Sequence, residues 1–377
     1  MDKIEKYIDR LMSESTPDYP AWNIEKKRLG IKSKWNYIDG CMIKAVLEMY
    51  AISGDKKYLD FADGFIDAKV FDNGTIDGYD INEKNIDNVN AGKTLFELFD
   101  ITGKEKYRKA IDLIYSQIKY MPRTEEGSFW HKDIYPNQVW LDGLYMAQPF
   151  YMEYEKRYND RKNYKDIFDQ FIRVKKYMKD ERTGLYYHAY DSSKQMFWAD
   201  KVTGLSCHFW LRALGWFSMA LLDTLTACDD KNCEEYMLLK EMFIDLMDSM
   251  LKYQDESGMW YQVVNLGGMD RNYLETSGSS IMAYALLKGV RMGFLDKSYI
   301  KYGKKAFDGI TDKYLFEADG LLHLGGICLV AGLGGKNNRP GTFDYYMSEP
   351  VVEDDAKGVG PYLLAYTEMK RAGLLEE

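Results

Sequence analysis

The sequence predicts an (α/α)6 barrel, an all-α fold in which six inner helices form a ring inside six outer ones. Three observations predict it. The turn Gly54-Asp-Lys-Lys-Tyr58 recurs as Gly103-Lys-Glu-Lys-Tyr107, so a helical hairpin repeats along the chain. An apolar run precedes each turn, and an amphipathic run follows it. Six starts of inner helices can be placed along the 377 residues.

The two helices of each hairpin differ in their apolar pattern. The run from Cys41 to Tyr50, before the first turn, is apolar on most sides, which is typical of a helix buried all round. The run after the second turn has one apolar stripe with i, i+3, i+4, i+7 spacing, formed by Tyr107, Ala110, Ile111, Ile114 and Ile118. The pattern therefore predicts an inner helix, a tight turn and an outer helix in each unit.

A second recurring signal follows the outer helices: a polar turn, a glycine, and then apolar or aromatic residues. Asp72 to Ile76 and Glu126 to Trp130 are two examples. These segments predict short strands or extended stretches in long loops that lead into the next inner helix. The inner helices are then predicted to begin near residues 40, 88, 142, 211, 279 and 358.

The sixth inner helix, Val359 to Lys370, has no outer partner after it. The amphipathic run from Ile4 to Met12 has no partner either, and it can close the ring. The alternative is an open solenoid of helical pairs, which uses the same local pattern. The unequal loops and the N-terminal helix favour closure, so residues 1–377 are predicted to form a single (α/α)6-barrel catalytic domain.

Composition excludes several classes of protein. A hydrophobic content of 46% allows a large core, and a net charge of -9 without a basic stripe argues against nucleic-acid binding. No window approaches 18 apolar residues, which argues against a membrane protein. Scattered cysteines and histidines predict neither disulfides nor a metal centre. The first residues lack the pattern of a secretory signal, so a cytoplasmic location is expected.

Polar residues recur at the starts of the inner helices. Asp142 lies at the start of the third, Asp87 at the corresponding place in the second, Arg212 in the fourth, and Asn36 just before the first. Each aspartate could simply be an N-cap. Two acids at equivalent places, together with an arginine, favour a site at one mouth of the ring. A second carboxylate near Asp142 would favour its protonated form, as a general acid requires.

The long loops add residues that suit an anionic sugar. The segment His131-Lys-Asp-Ile-Tyr135 supplies a lysine before the third inner helix, and Arg212 could grip a carboxylate bidentately. His188 could hydrogen-bond a hydroxyl or be a packed histidine. Trp140 and Trp216 could cover a sugar ring or belong to the core.

Four segments carry a family resemblance. Trp140-Leu-Asp-Gly-Leu-Tyr-Met146, Tyr187-His-Ala-Tyr-Asp191, Arg212 to Trp216, and Lys357 to Ala365 together resemble the unsaturated rhamnogalacturonyl hydrolases of glycoside hydrolase family 105. The resemblance implies an (α/α)6 barrel that removes a 4,5-unsaturated galacturonyl residue from the non-reducing end of pectin-derived oligosaccharides. It implies that Asp142 protonates C4 and activates the water that adds at C5, after which the hemiketal opens and the neighbouring sugar leaves.

The resemblance also implies roles for other residues. Asp87 would hold the sugar and bias Asp142, and His188 would assist binding or protonation. The residues implied to bind substrate are Asn36, Tyr37, His131, Lys132, Asp133, Ile134, Tyr135, Trp140, Arg212, Trp216, Ala331 and Gly332. No cofactor is implied. The expected partner is an anionic unsaturated oligosaccharide, bound by a monomer or a weak homo-oligomer.

Other functions remain open from the sequence. An unsaturated glucuronyl hydrolase acting on glycosaminoglycan fragments shares the barrel and the hydration chemistry, although a sulfated substrate would need more loop cations. A conventional inverting glycosidase or a sugar epimerase could use the same barrel. A non-catalytic, peptide-binding helical repeat would show a concave polar surface without a buried acid pair.

Overall fold

The computed structural model describes residues 3–375, which form a mainly helical structure. The α-helices are, in chain order, α1 (Lys3–Ser13), α2 (Ile24–Leu29), α3 (Tyr37–Ser53), α4 (Lys56–Asp67), α5 (Lys93–Thr102), α6 (Glu105–Tyr120), α7 (Leu141–Tyr158), α8 (Tyr164–Met178), α9 (Leu211–Ala227), α10 (Glu234–Leu251), α11 (Thr276–Arg291), α12 (Ile300–Tyr314), α13 (Phe343–Ser348) and α14 (Ala356–Arg371). None of the helices between residues 3 and 375 is both long and apolar enough to cross a membrane.

Short strands occupy the long loops, as predicted, whereas the four 3-10 helices within residues 3–375 were not predicted. The strands form three antiparallel pairs: β1 (Gln138–Trp140) with β2 (Ala189–Asp191), β3 (Leu315–Ala318) with β4 (Leu321–Leu324), and β5 (Ile327–Cys328) with β6 (Val351–Val352). The 3-10 helices are Ile81–Glu83, Ile86–Gly92, Val264–Leu266 and Lys297–Tyr299.

Six inner elements close into a ring. The contacts run from α3 to the 3-10 helix Ile86–Gly92, then to α7, α9, α11 and α14, and α14 packs back against α3. The inner elements begin at Tyr37, Ile86, Leu141, Leu211, Thr276 and Ala356, each within three residues of its predicted start. The (α/α)6 barrel is therefore confirmed, and the open solenoid is not what the chain forms.

The outer layer also follows the prediction. Helix α6 buries the predicted stripe from Tyr107 to Ile118. Gly54 and Gly103, in the left-handed conformation that glycine tolerates, end α3 and α5 at the two repeated turns. The N-terminal helix α1 completes the sixth pair, because Glu5 accepts hydrogen bonds from Tyr366 and Lys370 of α14.

Asp354, just before α14, fastens the N-terminal helix to the rest of the ring. Its carboxylate accepts hydrogen bonds from Tyr7 Oη at 2.6 Å and Arg10 Nη2 at 3.1 Å, both on α1. It also accepts one from the backbone N–H of Leu324 on β4 at 3.0 Å. One buried carboxylate thus joins three separate parts of the chain.

The second inner element differs from a regular helix. It starts as the 3-10 helix Ile86–Gly92, and the α-helix begins only at Lys93. Asn88, Asn90 and Gly92 are poor α-helix formers, which accounts for the tighter first turns. The difference matters because Asp87 lies in those turns.

The inner helices approach one another closely where glycine is present. A Cβ atom on Gly40 of α3 would lie 2.6 Å from the Cα of Ala91, so the two backbones touch at this point. Gly64 on the outer helix α4 is the opposite case, since nothing lies within 4 Å of the place its Cβ would take.

We therefore expect opposite effects from the same substitution at these two glycines. Gly40→Ala should lower the free energy of unfolding by roughly 1–3 kcal/mol because backbone atoms must move apart. Gly64→Ala should raise it by roughly 0.5–1 kcal/mol, since alanine is the better helix former. Urea unfolding of both variants measures this, and stabilisation by Gly40→Ala would contradict the close packing.

Candidate active site

The starts of the inner elements meet at one mouth of the ring. The half-buried Tyr37, in the first turn of α3, lies there, and the charges of Glu25, Asp87, Arg212 and Asp355 all act on its phenol. Burial raises its pKa well above the usual value, with Asp87 adding to the effect and Arg212 opposing it. Residues from the first, second, fourth and sixth inner elements are thus close together, as the repeat predicted.

A two-stranded ladder brings His188 to Asp142. Strands β1 and β2 pair antiparallel with Trp140 opposite Ala189, and the Leu141 N–H donates to the carbonyl of His188 at 3.1 Å. As a result Nε2 of His188 lies 3.5 Å from Oδ2 of Asp142, although 46 positions separate the two residues in the sequence.

The Asp142 carboxylate is largely buried and does not serve as a helix cap. Trp140 occupies the N-cap position of α7, and no side chain makes a capping hydrogen bond there. Asp142 Oδ2 and His188 Nε2 are both buried and have no hydrogen-bond partner within residues 3–375. The geometry therefore disfavours the N-cap interpretation and leaves Asp142 available for a ligand.

Tyr346 of α13 holds the other side of His188. Its buried Oη lies 2.7 Å from Nδ1 of His188. A phenol hydrogen in a buried site needs an acceptor, and Nδ1 is the partner that the described residues provide. Donation from Tyr346 to Nδ1 leaves the proton of the neutral imidazole on Nε2, where it points toward Asp142.

Asp87 has a different environment, because it is paired with positive charge. Its Oδ2 lies 2.7 Å from Lys132 Nζ, and its Oδ1 lies 3.4 Å from His131 Nε2. Burial alone would raise the pKa of Asp87, but Lys132 and His131 outweigh burial and lower it. Burial would lower the pKa of Lys132, but Asp87 raises it. Asp87 and Lys132 thus form an ion pair.

His131 remains neutral beside this pair. Burial lowers its pKa to about 4, even though the nearby carboxylate of Asp87 favours the charged form. Lys132 is therefore the cation that balances Asp87 near neutral pH. His131 is close to both acids, because the charges of Asp87 and Asp142 both act on it.

Aromatic rings form one wall of the mouth. Trp140 stacks on His131 with ring centroids 4.5 Å apart, and on Tyr135 at 5.1 Å. Trp140 also belongs to a small apolar cluster with Trp198 and Leu333, separate from the main core. Such a wall can pack against the face of a sugar ring and keep water away from the neighbouring acid.

Two residues predicted to bind substrate have structural contacts. Arg212 is buried in the first turn of α9, where Nη1 donates to Ser277 Oγ at 3.1 Å and to the carbonyl of Cys328. Trp216, one turn further along, stacks on Tyr145 with centroids 5.0 Å apart and is buried inside the ring. Its packing is that of a core residue, the alternative that the sequence left open.

The remaining predicted residues lie at the edges of the mouth. Asn36 caps α3, because its Oδ1 accepts from the Asp39 N–H at 2.9 Å. Asp133 and Ile134 are exposed on the rim. Ala331 and Gly332 are buried, and the Gly332 N–H already donates to Tyr345 Oη at 3.0 Å. The structure thus concentrates the predicted chemistry around Asp142, His188, Asp87, His131 and Lys132.

Sequence reasoning missed Tyr346, Trp198 and Arg339. Trp198 and Arg339 lie in long loops and Tyr346 in the short helix α13, all without a repeated position. They contact Trp140, Tyr135 and His188 respectively, which are distant in the sequence. A tyrosine or tryptophan in a loop carries no sequence signal that separates it from a core aromatic.

An (α/α)6 barrel with an unpaired acid at its mouth, beside stacked aromatic rings, defines the class as a carbohydrate-active hydrolase. Within residues 3–375, no group of three or more His, Cys, Asp or Glu side chains is placed to hold a metal ion.

Comparison with known proteins gives the family. The pattern of Glycosyl Hydrolase Family 88 matches residues 7–373, and the chain belongs to this family. A solved glycoside hydrolase of family 105 from C. acetobutylicum ATCC 824 is 45% identical, covers 97% of this chain and 99% of its own, and superimposes with a TM-score of 0.89. The resemblance to this group of enzymes is confirmed, and the protein is a glycoside hydrolase.

Two further relatives are more distant. The unsaturated rhamnogalacturonyl hydrolase YesR of Bacillus subtilis is 25% identical over 317 residues, which are 82% of this chain and 81% of YesR. The unsaturated glucuronyl hydrolase of Bacillus sp. GL1, which degrades glycosaminoglycan, shares the fold with a TM-score of 0.68 at 14% identity, with 98% of each chain covered.

The neutral state of buried His131 predicts a pH dependence of stability. Between pH 6.5 and about pH 4 the unfolded chain binds a proton at this residue that the folded protein does not. The free energy of unfolding should therefore decrease as the pH is lowered through this window. His131 should contribute up to about 1.4 kcal/mol per pH unit to this decrease. Urea unfolding should show a shallower fall for His131→Gln than for the wild type, and equal slopes would refute the assignment.

Proposed function

We propose that this glycoside hydrolase removes a 4,5-unsaturated galacturonyl residue from the non-reducing end of pectin- or rhamnogalacturonan-derived oligosaccharides. The observation that carries the proposal is the carboxylate of Asp142, which is largely buried, free of a capping bond and faces His188. Similarity to YesR and to the family 105 structure supports this substrate class.

The proposed reaction consumes one water and uses Asp142 twice. The Asp142 carboxyl donates its proton to C4 of the enol ether, and positive charge develops at C5 and the ring oxygen. The Asp142 carboxylate then takes a proton from a water whose oxygen adds to C5. The resulting hemiketal opens to a ketone at C5, and the hemiacetal at C1 collapses to an aldehyde and releases the neighbouring sugar. A conventional glycosidase instead directs both carboxyl groups at C1.

The neighbours of Asp142 have distinct roles in this proposal. His188, held by Tyr346 with a proton on Nε2, stabilises the carboxylate form of Asp142 after the first proton transfer. Asp87, kept ionised by Lys132, accepts hydrogen bonds from sugar hydroxyls. Trp140, stacked on Tyr135 and His131, packs against the sugar. Tyr37 and the Ala331–Gly332 loop border the same mouth.

Three further predictions from the sequence belong to this proposal. Residues 1–377 would act as one catalytic domain, in the cytoplasm, as a monomer or weak homo-oligomer. The rival unsaturated glucuronyl hydrolase activity uses the same hydration step, so it differs in the sugar accepted and in the sulfation of the substrate.

We expect the enzyme to consume the double bond of an unsaturated galacturonyl-rhamnose disaccharide and to place deuterium at C4 in heavy water. Loss of the enol-ether ultraviolet absorbance and NMR at C4 measure this. An unsaturated glucuronyl disaccharide, with and without sulfate, is tested alongside. Release of a uronate with its double bond intact would show attack at C1 and refute the mechanism, whereas a clear preference for the sulfated glucuronyl substrate would favour the rival.

Asp142→Asn should lower turnover by about 100- to 10,000-fold, the usual contribution of a general acid and base. Its free energy of unfolding should change by no more than about 0.5 kcal/mol, because the carboxylate makes no capping bond. Asp166→Asn is the matched control: this acid is also in a first turn, on the outer helix α8, but it is paired with Arg123. Asp166→Asn should lose stability and keep its activity per folded molecule. If Asp142→Asn behaved in that way instead, the N-cap interpretation would be supported.

A further inference from the structure

The uronate carboxylate of the proposed substrate needs a cation at the mouth, and the cations expected from the sequence are engaged. Lys132 is paired with Asp87 at 2.7 Å. Arg212 is buried, lies 4.7 Å from the Trp210 ring centroid and donates Nη1 to Ser277 and to the Cys328 carbonyl. Binding the substrate through Lys132 would weaken its ion pair with Asp87, and binding it through Nη1 of Arg212 would weaken the bonds to Ser277 and Cys328.

Arg339, between β5 and α13, is a cation at the mouth without an acidic partner. Within residues 3–375, no carboxylate oxygen comes within the 4.0 Å of an ion pair with its guanidinium. Glu349 is near enough for the charge of Arg339 to act on it, but the two form no ion pair. Arg339 and Lys132 share a neighbour: Arg339 Nη2 donates to Tyr135 Oη, and Lys132 Nζ lies 5.9 Å from the centroid of the same ring.

Neutral groups hold the guanidinium in a fixed orientation. Nε donates to the carbonyl of Gly334 at 3.1 Å, and Nη2 donates to Tyr135 Oη at 3.1 Å and to the carbonyl of Leu333 at 3.4 Å. These bonds position the side chain without neutralising it. An oriented cation loses little conformational entropy when it binds an anion.

Nη1 of this guanidinium lies against the predicted substrate loop. A Cβ atom on Gly332 would lie 2.4 Å from Nη1 of Arg339, so the guanidinium occupies the space that a side chain would fill. On its other side Arg339 contacts Tyr135, which stacks on Trp140, two residues before Asp142. Nη1 therefore lies between the substrate loop and the aromatic wall of the active site.

We propose that Arg339 binds the C6 carboxylate of the unsaturated uronate. The inference rests on the proposed function and names a specificity-determining residue for it. Nη1 donates a charge-assisted hydrogen bond to the carboxylate, and Tyr135 and the backbone carbonyls keep the guanidinium in place. The positive charge selects a uronate over the corresponding neutral sugar.

The test measures the wild type and Arg339 variants with two substrates, the unsaturated uronate disaccharide and the same disaccharide with its C6 carboxylate replaced by an amide. Arg339→Gln should lower kcat/KM for the unsaturated galacturonyl-rhamnose disaccharide by roughly 10- to 100-fold, mainly through KM, and should change kcat/KM for the amide by less than about threefold. Arg339→Lys should recover part of the loss for the acid. Lys336→Gln, which removes an exposed charge from the same loop, should leave both substrates unaffected.

Two results would overturn the proposal. An equal loss for acid and amide would show that Arg339 only supports the loop, and no loss would show that another group binds the carboxylate. If the wild type turned over neither substrate, the proposed reaction would fail. Calorimetry with free unsaturated galacturonate would then decide separately whether binding depends on Arg339. The assignment would be rejected if Arg339→Gln bound this ligand as well as the wild type, or if the wild type did not bind it.

Discussion

Closure of the inner ring is the constraint on which the site depends. Because each of the first five inner elements is followed by an antiparallel outer helix and α1 precedes the ring, all six inner elements point the same way, and closure brings their N-terminal ends to one mouth. Helix N-termini carry partial positive charge and unpaired N–H groups. A chain with a net charge of -9 therefore offers an anionic sugar a locally favourable opening. Asp354, which ties α1 to the segment before α14, helps to keep the ring closed.

Within this mouth, local contacts give the two acids different tasks. Lys132 keeps Asp87 ionised, and the neighbouring His131 stays neutral near pH 7. The short β1–β2 ladder sets His188 against Asp142, and Tyr346 fixes the far side of the imidazole. The ring supplies the placement of the acids, whereas the loops supply their electrostatic environments. Similar barrels can therefore accept different unsaturated uronates through changes confined to the loops.

The sequence predicts the ring well because helical periodicity is a local property. The starts of α7 and α9 follow directly from apolar patterns, and so does the position of Asp142 and Arg212 in the first turns. The contact between Asp142 and His188 depends on strand pairing across 46 positions, which no local pattern specifies. The sequence likewise cannot show that the Cys328 carbonyl engages Arg212, or that Arg339 reaches the mouth from a glycine-rich loop.

The structure also changes the account of how one carboxyl group can act as both acid and base. The sequence suggested that Asp87 keeps a proton on Asp142, but Lys132 compensates much of the charge of Asp87, so its repulsion is weakened. That hypothesis stays a prediction. The nearest polar neighbour of the Asp142 carboxylate is instead His188, whose Nε2 lies 3.5 Å from Oδ2, and the Trp140 ring packs edge-on against that imidazole. A residue that must give a proton to C4 and then take one from water needs a partner for its carboxylate between the two steps, and His188, held from its far side by Tyr346, is placed to be that partner.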